Sequence, residues 1–154
     1  MTYFSLYPSP VGTLVLTSDG RALTGLTFTV PKPQWEILDN LSIFNSVREW
    51  LNAYFAGSPR AVDFPIAPAG TVFQHRVWNL LVQIPYGETA TYGKLATILG
   101  ENMSAQAVGQ AVGKNPIAII IPCHRVVGAK GQLTGYAWGL EKKKRLLAHE
   151  EDTK

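Results

Sequence analysis

The sequence predicts an α+β protein with a small antiparallel-sheet lobe at the N-terminus and a mostly helical C-terminal lobe. Three short runs rich in Thr, Leu, Val and aromatic residues fill residues 2–30, a pattern typical of β-strands separated by turns. After residue 70, apolar residues recur mainly at helical spacing. The stretch "DFPIAPAG" between these regions contains proline and glycine without periodicity. We therefore predict one lobe at 1–68 and a second lobe at 69–154.

The composition favours a folded globular protein. The chain has 154 residues, of which 46% are hydrophobic and 16% are charged. This is enough apolar material for one core or for two small lobes, and it excludes a disordered polyelectrolyte. The formal net charge of +3 permits a nucleic-acid partner without requiring one.

The chain has a single cysteine, which limits the disulfides and metal sites that it can form and indicates the redox state of its compartment. One cysteine cannot form an internal disulfide, and the three histidines show no ligand spacing, so we expect no metal site and no cofactor. A lone thiol fits a reducing compartment. We see no signal-peptide pattern and no apolar run of membrane-spanning length. We expect a soluble cytoplasmic protein without a membrane partner, associated with the nucleoid or, in a eukaryote, located in the nucleus.

The N-terminal lobe is expected to hold three strands and one helix. The strands are "YFSLY", "GTLVLTS" and "ALTGLTFT", and Asp19 with Gly20 is typical of a hairpin turn between the last two. Residues 34–56 repeat apolar positions at helical spacing, and the sequence Gly-Ser-Pro at 57–59 ends that helix.

The C-terminal lobe is expected to begin with a helix at 73–84, followed by two short helices. Thr91 can cap "YGKLATIL", and Ser104 can cap "AQAVGQAVG"; Gly100 and Gly113 end these helices. Two short helices in close succession match the helix-turn-helix pattern, although plain packing in a helical core gives the same pattern. The second helix is nearly all small residues, so another backbone can approach it closely, either a core neighbour or a nucleic-acid groove.

The segment around the cysteine indicates a reactive site. "IAIII" at 117–121 predicts a buried strand, and Pro122 ends it, so the chain turns at Cys123. An isolated buried cysteine is commonly a core residue. Here the polar residues His124 and Arg125 follow immediately, which favours a site over an interior position.

The histidine gives the thiol a route to its anionic form. A thiol of ordinary pKa is mostly protonated at neutral pH, and His124 can take its proton directly or through one water. An acid is needed to orient the imidazole. Glu150, at the end of the predicted amphipathic helix "LEKKKRLLAHE", is our choice, with Glu88, Glu101 and Glu141 as alternatives. The basic run "KKKR" within that helix is typical of a solvated helix face.

At this point the sequence resembles a known family. "IPCHRV" resembles the active-site signature of the O6-alkylguanine-DNA alkyltransferases, also called methylated-DNA–protein-cysteine methyltransferases. "FQHRVWNLLVQIPYGETATYGKLA", "AVGQAVGKNP" and "LTGYAWGLEKKKRLLAHE" also look like that family, in the same order. The resemblance covers about 80 residues, from Gly70 to Glu150, and is weaker before residue 70. It implies a ribonuclease H-like fold for the N-terminal lobe.

The resemblance implies direct-reversal DNA repair. A damaged guanine in double-stranded DNA is flipped out of the duplex, and its O6-alkyl group, chiefly methyl, passes irreversibly to Cys123. His124 is then a water-mediated base oriented by Glu150, Asn115 braces the cysteine segment, and Tyr92 donates to the guanine N3. The implied substrate-binding groups are the carbonyls of Cys123 and Val126, the N–H of Ala137, the covering residue Trp138, and Arg125 as a tie to the core or to the DNA backbone.

The resemblance also implies a minor-groove interface built on the second short helix, used by a monomer. The implied DNA-binding residues are Ser104, Ala105, Gln106, Ala107, Gly109, Gln110 and Lys114. The family usually has an arginine where this chain has Gln106, so we expect weaker DNA binding or slower flipping than with arginine. Trp138 stands where the family also has small residues, so we expect poor acceptance of benzyl-sized adducts, unless the indole packs outward.

Two other classes of function remain open from the sequence. A Cys-His-Glu hydrolase or acyltransferase uses the same side chains but turns over. A helix-turn-helix regulator or a non-catalytic sensor of alkylated bases binds DNA without becoming modified. The intact Cys123 argues against the sensor.

Overall fold

The computed structural model describes residues 1–100 and 102–154. The chain forms two compact units, Met1–Ala69 and Gly70–Lys154. The first unit holds a β-sheet and the second is mostly helical, so the predicted α+β class with an N-terminal sheet is confirmed. In the described part of the chain, no helix combines the length and the apolar content that crossing a bilayer requires.

The sheet of the first unit has four strands in the order β3-β2-β1-β4. Strands β1 (Tyr3–Ser9), β2 (Gly12–Ser18) and β3 (Leu23–Thr27) pair antiparallel, as predicted. The short edge strand β4 (Glu36–Ile37) pairs parallel with β1 and was not predicted. The turn between β2 and β3 is held by Asp19, whose carboxylate accepts hydrogen bonds from two backbone N–H groups.

The helix of this unit, α1, spans Ser42–Phe55, so the predicted start at residue 34 was wrong. Residues before α1 pair with β1 instead: the N–H of Leu38 donates to the carbonyl of Phe4 at 3.0 Å. That pairing requires extended backbone, which excludes a helix there. The buried apolar residues on the strands and on α1 form the core of this unit: Leu14, Leu16, Leu23, Leu26, Phe44, Val47, Leu51 and Tyr54.

The described residues of the second unit form four α-helices, one short 3₁₀ turn and one short parallel strand pair. The helices are α2 (Val72–Leu81), α3 (Tyr92–Leu99), α4 (Ala105–Gly113) and α5 (Leu140–Thr153), and the strands are β5 (Ala90–Thr91) and β6 (Val126–Val127). The predicted caps are confirmed. The Thr91 hydroxyl accepts from the N–H of Lys94 at 3.1 Å, and the Ser104 hydroxyl accepts from the N–H of Ala107 at 3.0 Å.

Helices α3 and α4 pack together as a helix-turn-helix pair, and α2 packs against both. The buried face of α4 consists of Val108, Ala111 and Val112. The indole N–H of Trp78 on α2 donates to the carbonyl of Ala111 at 2.9 Å. Because α4 has few bulky side chains to pack against α2, this hydrogen bond helps to fix its position.

The predicted strand at 117–121 was wrong. This segment is a succession of tight turns whose residues are all buried. Ile119 has a φ of 68°, a left-handed conformation that is uncommon for a β-branched residue. Backbone bonds inside the segment close the turns, including Ile121 N–H to Ile117 O at 3.2 Å. An apolar, β-branched run indicates burial, and its pattern does not distinguish a strand from a buried turn.

Candidate active site

The only cysteine of the chain lies in the wall of a cavity. Cys123 begins a 3₁₀ turn, Cys123–Arg125, directly after the buried turns, and its side chain is 4% exposed. The cavity measures about 560 Å³ and is lined by residues from α3, α4, the cysteine turn and the loop before α5: Tyr92, Ala105, Gln106, Gly109, Val112, Gly113, Cys123, Thr134, Gly135, Tyr136 and Ala137. A volume of this size falls in the range typical of small-molecule sites.

Asn115 organises the backbone that leads to the cysteine. Its side-chain amide donates to the carbonyls of Ile117 at 3.1 Å and Ile121 at 2.8 Å, and its oxygen accepts from the N–H of Ile117 at 2.9 Å. The side chain is 3% exposed. A single buried amide therefore closes the loop between the end of α4 and Cys123.

His124 is paired with Glu150. The imidazole Nε2 lies 2.6 Å from Glu150 Oε2, and both side chains are buried. Of the alternative acids, Glu88 and Glu141 are exposed, whereas Glu101 lies outside the described residues. Nδ1, the other ring nitrogen of His124, is buried without a hydrogen-bond partner among the residues described.

Arg125 completes the cluster and is not among the described residues that line the cavity. Its Nε donates to Glu150 Oε1 at 2.8 Å, its Nη2 donates to Oε2 at 3.1 Å, and its Nη1 donates to the carbonyl of Ile84 at 2.7 Å. The N–H of Gly87 also donates to Glu150 Oε1, at 3.2 Å. The structure thus places Arg125 as a core tie of the cysteine turn, one of the two roles considered from the sequence.

Burial governs the protonation of the two reactive side chains. It raises the pKa of the Cys123 thiol to about 11, against the opposing effects of the Asn115 amide, the Lys143 ammonium and the Tyr136 hydroxyl. Burial also lowers the pKa of His124, and the Glu150 carboxylate opposes that shift. A neutral imidazole whose Nε2–H is assigned to Glu150 leaves Nδ1 as a proton acceptor.

The predicted substrate-binding residues occupy different places around the cavity. Tyr92 and Ala137 line it. Val126 is buried in β6 directly after the cysteine turn, and its N–H donates to the carbonyl of Cys123. Trp138 does not line the cavity within the described ranges; its half-buried ring packs edge-to-face on Tyr136, with centroids 5.2 Å apart. The indole therefore touches the wall from behind instead of filling the cavity.

Two side chains at this site were missed from the sequence. Tyr136 lines the cavity, and its buried hydroxyl is close enough to the Cys123 thiol to lower the pKa of that thiol. Lys143 was assigned to a solvated helix face, but it is fully buried. Its spacing from Leu146 and Glu150 on α5 could have revealed this, since residues three and seven positions apart share a helix face.

The outward face of α4 borders the cavity and carries most of the predicted DNA-binding residues. Ala107 and Gly109 are half-buried, and the exposed members of the predicted set are Ser104, Ala105, Gln106, Gln110 and Lys114. Ala105, Gln106 and Gly109 also line the cavity. One surface therefore runs from a helix of small residues directly to the opening beside Cys123.

This combination defines a class: a protein with a helix-turn-helix unit and a buried cysteine beside a histidine–carboxylate pair. Comparison with protein families assigns the chain more narrowly. Residues 72–152 match the family described as 6-O-methylguanine DNA methyltransferase, DNA binding domain, and residues 2–68 match its ribonuclease-like domain. The chain belongs to the 6-O-methylguanine DNA methyltransferase family.

Individual relatives agree along nearly the whole chain. A methylated-DNA–protein-cysteine methyltransferase of Methanosarcina acetivorans is 46% identical over 149 residues, which cover 94% of this chain and 96% of the relative. The crystal structure of the Mycobacterium tuberculosis O6-methylguanine methyltransferase matches with a TM-score of 0.89 and 43% identity, covering 100% of this chain and 95% of the other. A structure of the M. tuberculosis protein in complex with DNA also gives 0.89 at 43% identity, covering 98% and 94%.

Proposed function

We propose that this protein repairs alkylated double-stranded DNA by direct reversal, with Cys123 accepting the O6-alkyl group, chiefly methyl, of a guanine flipped out of the duplex. The observation that carries the proposal is the position of Cys123 in a cavity that opens beside α4 and is backed by His124 and Glu150. The names of the relatives, and the DNA complex of one of them, support the same activity.

The cavity offers polar groups suited to a purine. Tyr92 stands in the wall, where its hydroxyl would donate to the guanine N3. The carbonyls of Cys123 and Val126 would accept from the exocyclic amine. The first of these already accepts from the N–H of Val126, and a carbonyl oxygen can accept a second hydrogen bond. The N–H of Ala137, which also lines the cavity, would donate to O6 and stabilise charge that develops there.

The transfer step follows from the protonation states. The thiol of Cys123 gives its proton to Nδ1 of His124, either directly or through a bridging water. Glu150 holds the imidazole in the orientation that this transfer requires. The sulfur attacks the alkyl carbon, the carbon–O6 bond breaks, and its electron pair passes to O6 and the purine ring. Tyr92 donates its phenol proton to N3, which neutralises the departing base, and the proton taken up by His124 returns through solvent to the Tyr92 phenolate.

The product explains why one molecule repairs one lesion. A thioether has no acyl carbon that water can attack, and the guanine that has left does not take the alkyl group back from the sulfur. The protein is therefore consumed stoichiometrically. Every group assigned to the site comes from one chain, so a monomer suffices.

DNA would be held through the outward face of α4. Small side chains there allow close approach to a minor groove, with Gln106 at the cavity edge, where the flipped base leaves a gap. Extruding a base costs a few kcal/mol, and contacts of α4 with the duplex would supply that free energy. Lys114, exposed just after α4, would meet a phosphate.

The test is an intact-mass measurement after incubation with a duplex containing one O6-methylguanine. A single methyl increment on the peptide holding Cys123, absent in Cys123→Ser, supports the proposal. An unchanged mass with continued loss of lesions would indicate a hydrolase, and an unchanged mass with tight binding would indicate a sensor. Either of these two results overturns the proposal.

A further inference from the structure

Glu150, the acid of the proposed site, lies in the last turn of α5, which ends at Thr153. The final carbonyls of a helix have no partner within it, and helix ends fray. Glu151 and Asp152 add two more carboxylates to this turn, and among the described residues no basic side chain lies in it. Negative charge is unfavourable at the C-terminal end of a helix dipole. The turn that holds Glu150 is therefore weak by itself and depends on contacts from outside the helix.

The loop between α2 and β5 supplies such contacts through Tyr86. The Tyr86 hydroxyl lies 2.6 Å from the hydroxyl of Thr153. Since the Thr153 hydroxyl donates its single proton to the carbonyl of His149 at 2.7 Å, Tyr86 is the donor to Thr153. The Tyr86 ring also meets the His149 ring edge-to-face, with centroids 6.5 Å apart. Tyr86 thus ties the end of α5 at two points.

The ring of the same tyrosine contacts the arginine that is paired with Glu150. The Arg125 guanidinium lies over the Tyr86 ring, 5.6 Å from its centroid, a distance typical of a cation–π contact. Arg125 in turn donates two hydrogen bonds to the Glu150 carboxylate. The neighbours of Tyr86 act on the same pair, since the Ile84 carbonyl accepts from Arg125 and the Gly87 N–H donates to Glu150. One loop therefore contacts both members of the ion pair.

Gly87 allows this loop to lie close against the end of α5. Its φ is 80°, a left-handed conformation that favours glycine. A Cβ at this position would lie 2.8 Å from Cβ and from Cδ of Lys154, which is too close for two carbon atoms. The absence of a side chain at Gly87 therefore keeps Tyr86 within reach of Thr153.

We propose that Tyr86 is a positioning residue for the His124–Glu150 pair: its hydroxyl and ring hold the last turn of α5, so that the carboxylate stays within hydrogen-bond distance of the imidazole. Tyr86 does not line the cavity within the described part of the chain, so it acts through Glu150 and not on the substrate. The effect on the pair exists without DNA, and only the effect on the transfer step rests on the proposed function.

The test variants remove the hydrogen bond between Tyr86 and Thr153 from either side. Tyr86→Phe keeps the ring over Arg125 and removes only the hydroxyl. Thr153→Val removes the other hydroxyl at nearly the same shape, and Thr153→Ser keeps it. The matched control is Thr97→Val on α3, because the Thr97 hydroxyl also donates to the carbonyl four residues before it, at 3.0 Å, in a helix that does not carry Glu150.

The first measurement is the exchange with water of the His124 Nε2–H proton, followed by NMR in the protein without DNA. A ring nitrogen 2.6 Å from a carboxylate oxygen makes a short, charge-assisted hydrogen bond, which gives its proton a far-downfield resonance. Tyr86→Phe and Thr153→Val are expected to speed this exchange about fivefold, because the last turn loses one net hydrogen bond. Thr153→Ser and Thr97→Val are expected to leave it unchanged.

An exchange rate in Tyr86→Phe and Thr153→Val equal to that of the unmodified protein overturns the proposal, as does an equal acceleration in Thr97→Val. If the ring proton is not observed, the exchange of the backbone amides at 150–153 gives the answer. Those amides should exchange faster in the two variants, and unchanged exchange overturns the proposal.

A double-mutant cycle tests whether the two hydroxyls act as one contact. The variant that combines Tyr86→Phe with Thr153→Val should exchange no faster than either single variant, because each single change already breaks the same hydrogen bond. Additive effects would show that the hydroxyls act separately and would overturn the proposal.

Single-turnover methyl transfer from a duplex containing O6-methylguanine separates this inference from the proposed function. Tyr86→Phe and Thr153→Val should transfer methyl about fivefold more slowly, and Thr153→Ser should restore the original rate. Faster proton exchange in the variants of a protein that never acquires methyl would leave the role of Tyr86 intact and refute the proposed function. Methyl transfer at an unchanged rate in both variants would refute the role of Tyr86 alone.

Discussion

The two polar clusters that flank Cys123 are built in opposite ways. On one side, the Glu150 carboxylate receives donors from His124, Arg125 and the Gly87 backbone, so its charge is fully compensated. On the other side, the Lys143 ammonium has one hydrogen-bond acceptor among the described residues. The two clusters therefore differ in how completely their charges are paired. The saturated cluster holds the cysteine turn in place, whereas the Lys143 ammonium keeps N–H donors that no described residue accepts.

Replacing Glu150 by glutamine should have the largest effect, because it breaks the saturated cluster. Arg125 would keep a buried charge without its counter-charge, which costs about 3–5 kcal/mol of stability. His124 would lose its orienting partner, and methyl transfer should slow by about 100-fold or more. Urea unfolding and single-turnover kinetics measure the two effects.

Glu151→Gln is the matched control for this change. Glu151 is exposed on the same helix and forms a surface pair with Lys154 at 2.8 Å, and such pairs contribute little. Equal stability of the Glu150 and Glu151 variants would show that the buried cluster is not needed to hold the site.

Asn115→Ala tests whether the geometry of the sulfur depends on the turn that precedes it. The change removes three buried hydrogen bonds and should cost about 2–3 kcal/mol, because two carbonyls and one N–H lose their partner. Chemical denaturation measures the loss, and Asn79→Ala on the exposed face of α2 should change stability by only about 0.5 kcal/mol. A loss no larger than that of the Asn79 variant would contradict the assigned role.

The neutral state of His124 predicts a loss of stability in acid. Since burial lowers the pKa of His124 in the folded protein, the unfolded chain binds its proton more readily. Stability should therefore be fully present above a pH of about 6.5 and fall below it, by up to about 1.4 kcal/mol per pH unit. Thermal unfolding between neutral and mildly acid pH measures the slope, and His124→Asn, which does not titrate, should show a smaller slope. An unchanged slope would assign the effect to other groups.

Gln106→Arg adds a positive charge outside both clusters, on the outward face of α4 that we propose as the DNA-binding surface. Gln106 lines the cavity, whereas Gln110 on the same exposed face does not. Gln106→Arg and Gln110→Arg should each bind DNA up to about fivefold more tightly, which corresponds to about 1 kcal/mol of binding free energy. Only Gln106→Arg should also speed methyl transfer, because only that side chain can reach the gap left by the flipped base. Equal transfer rates in the two variants would contradict this.

Trp138→Gly should have the smallest effect. The indole packs on Tyr136 and does not line the cavity within the described residues, so its removal loosens the wall indirectly. We expect a modest increase in the rate with O6-benzylguanine and little change with O6-methylguanine, measured by competition between the two substrates. A large change with the methylated substrate would place Trp138 in the reaction itself.

Sequence patterns were sufficient where one local interaction determines the structure. Thr91 and Ser104 were identified as helix caps, and the alternating runs of the first 30 residues formed the expected strands. Glu150 could be chosen over its alternatives because an amphipathic helix end can hold a side chain in place, and the structure places its carboxylate on His124.

The patterns were insufficient where the outcome depends on contacts that hydrophobic periodicity does not reveal. The run at 117–121 looks like a strand, but Asn115 folds it into turns by bonding two of its carbonyls. The start of α1 was misplaced because the extended segment before it pairs with β1, a contact that helical periodicity does not reveal. Lys143 was assigned to solvent from its basic neighbours, although its position on α5 turns it inward.

The outward face of α4 has a thermodynamic consequence for docking. Alanine and glycine have no side-chain rotamers to lose when they are covered, whereas long polar side chains lose up to about 2 kcal/mol each. A helix held from behind by Val108, Val112 and the Trp78 indole also loses little backbone freedom. At Ala105, Ala107 and Gly109 the proposed contact with a groove would therefore cost no side-chain entropy, whereas Gln106 and Gln110 on the same face would lose some.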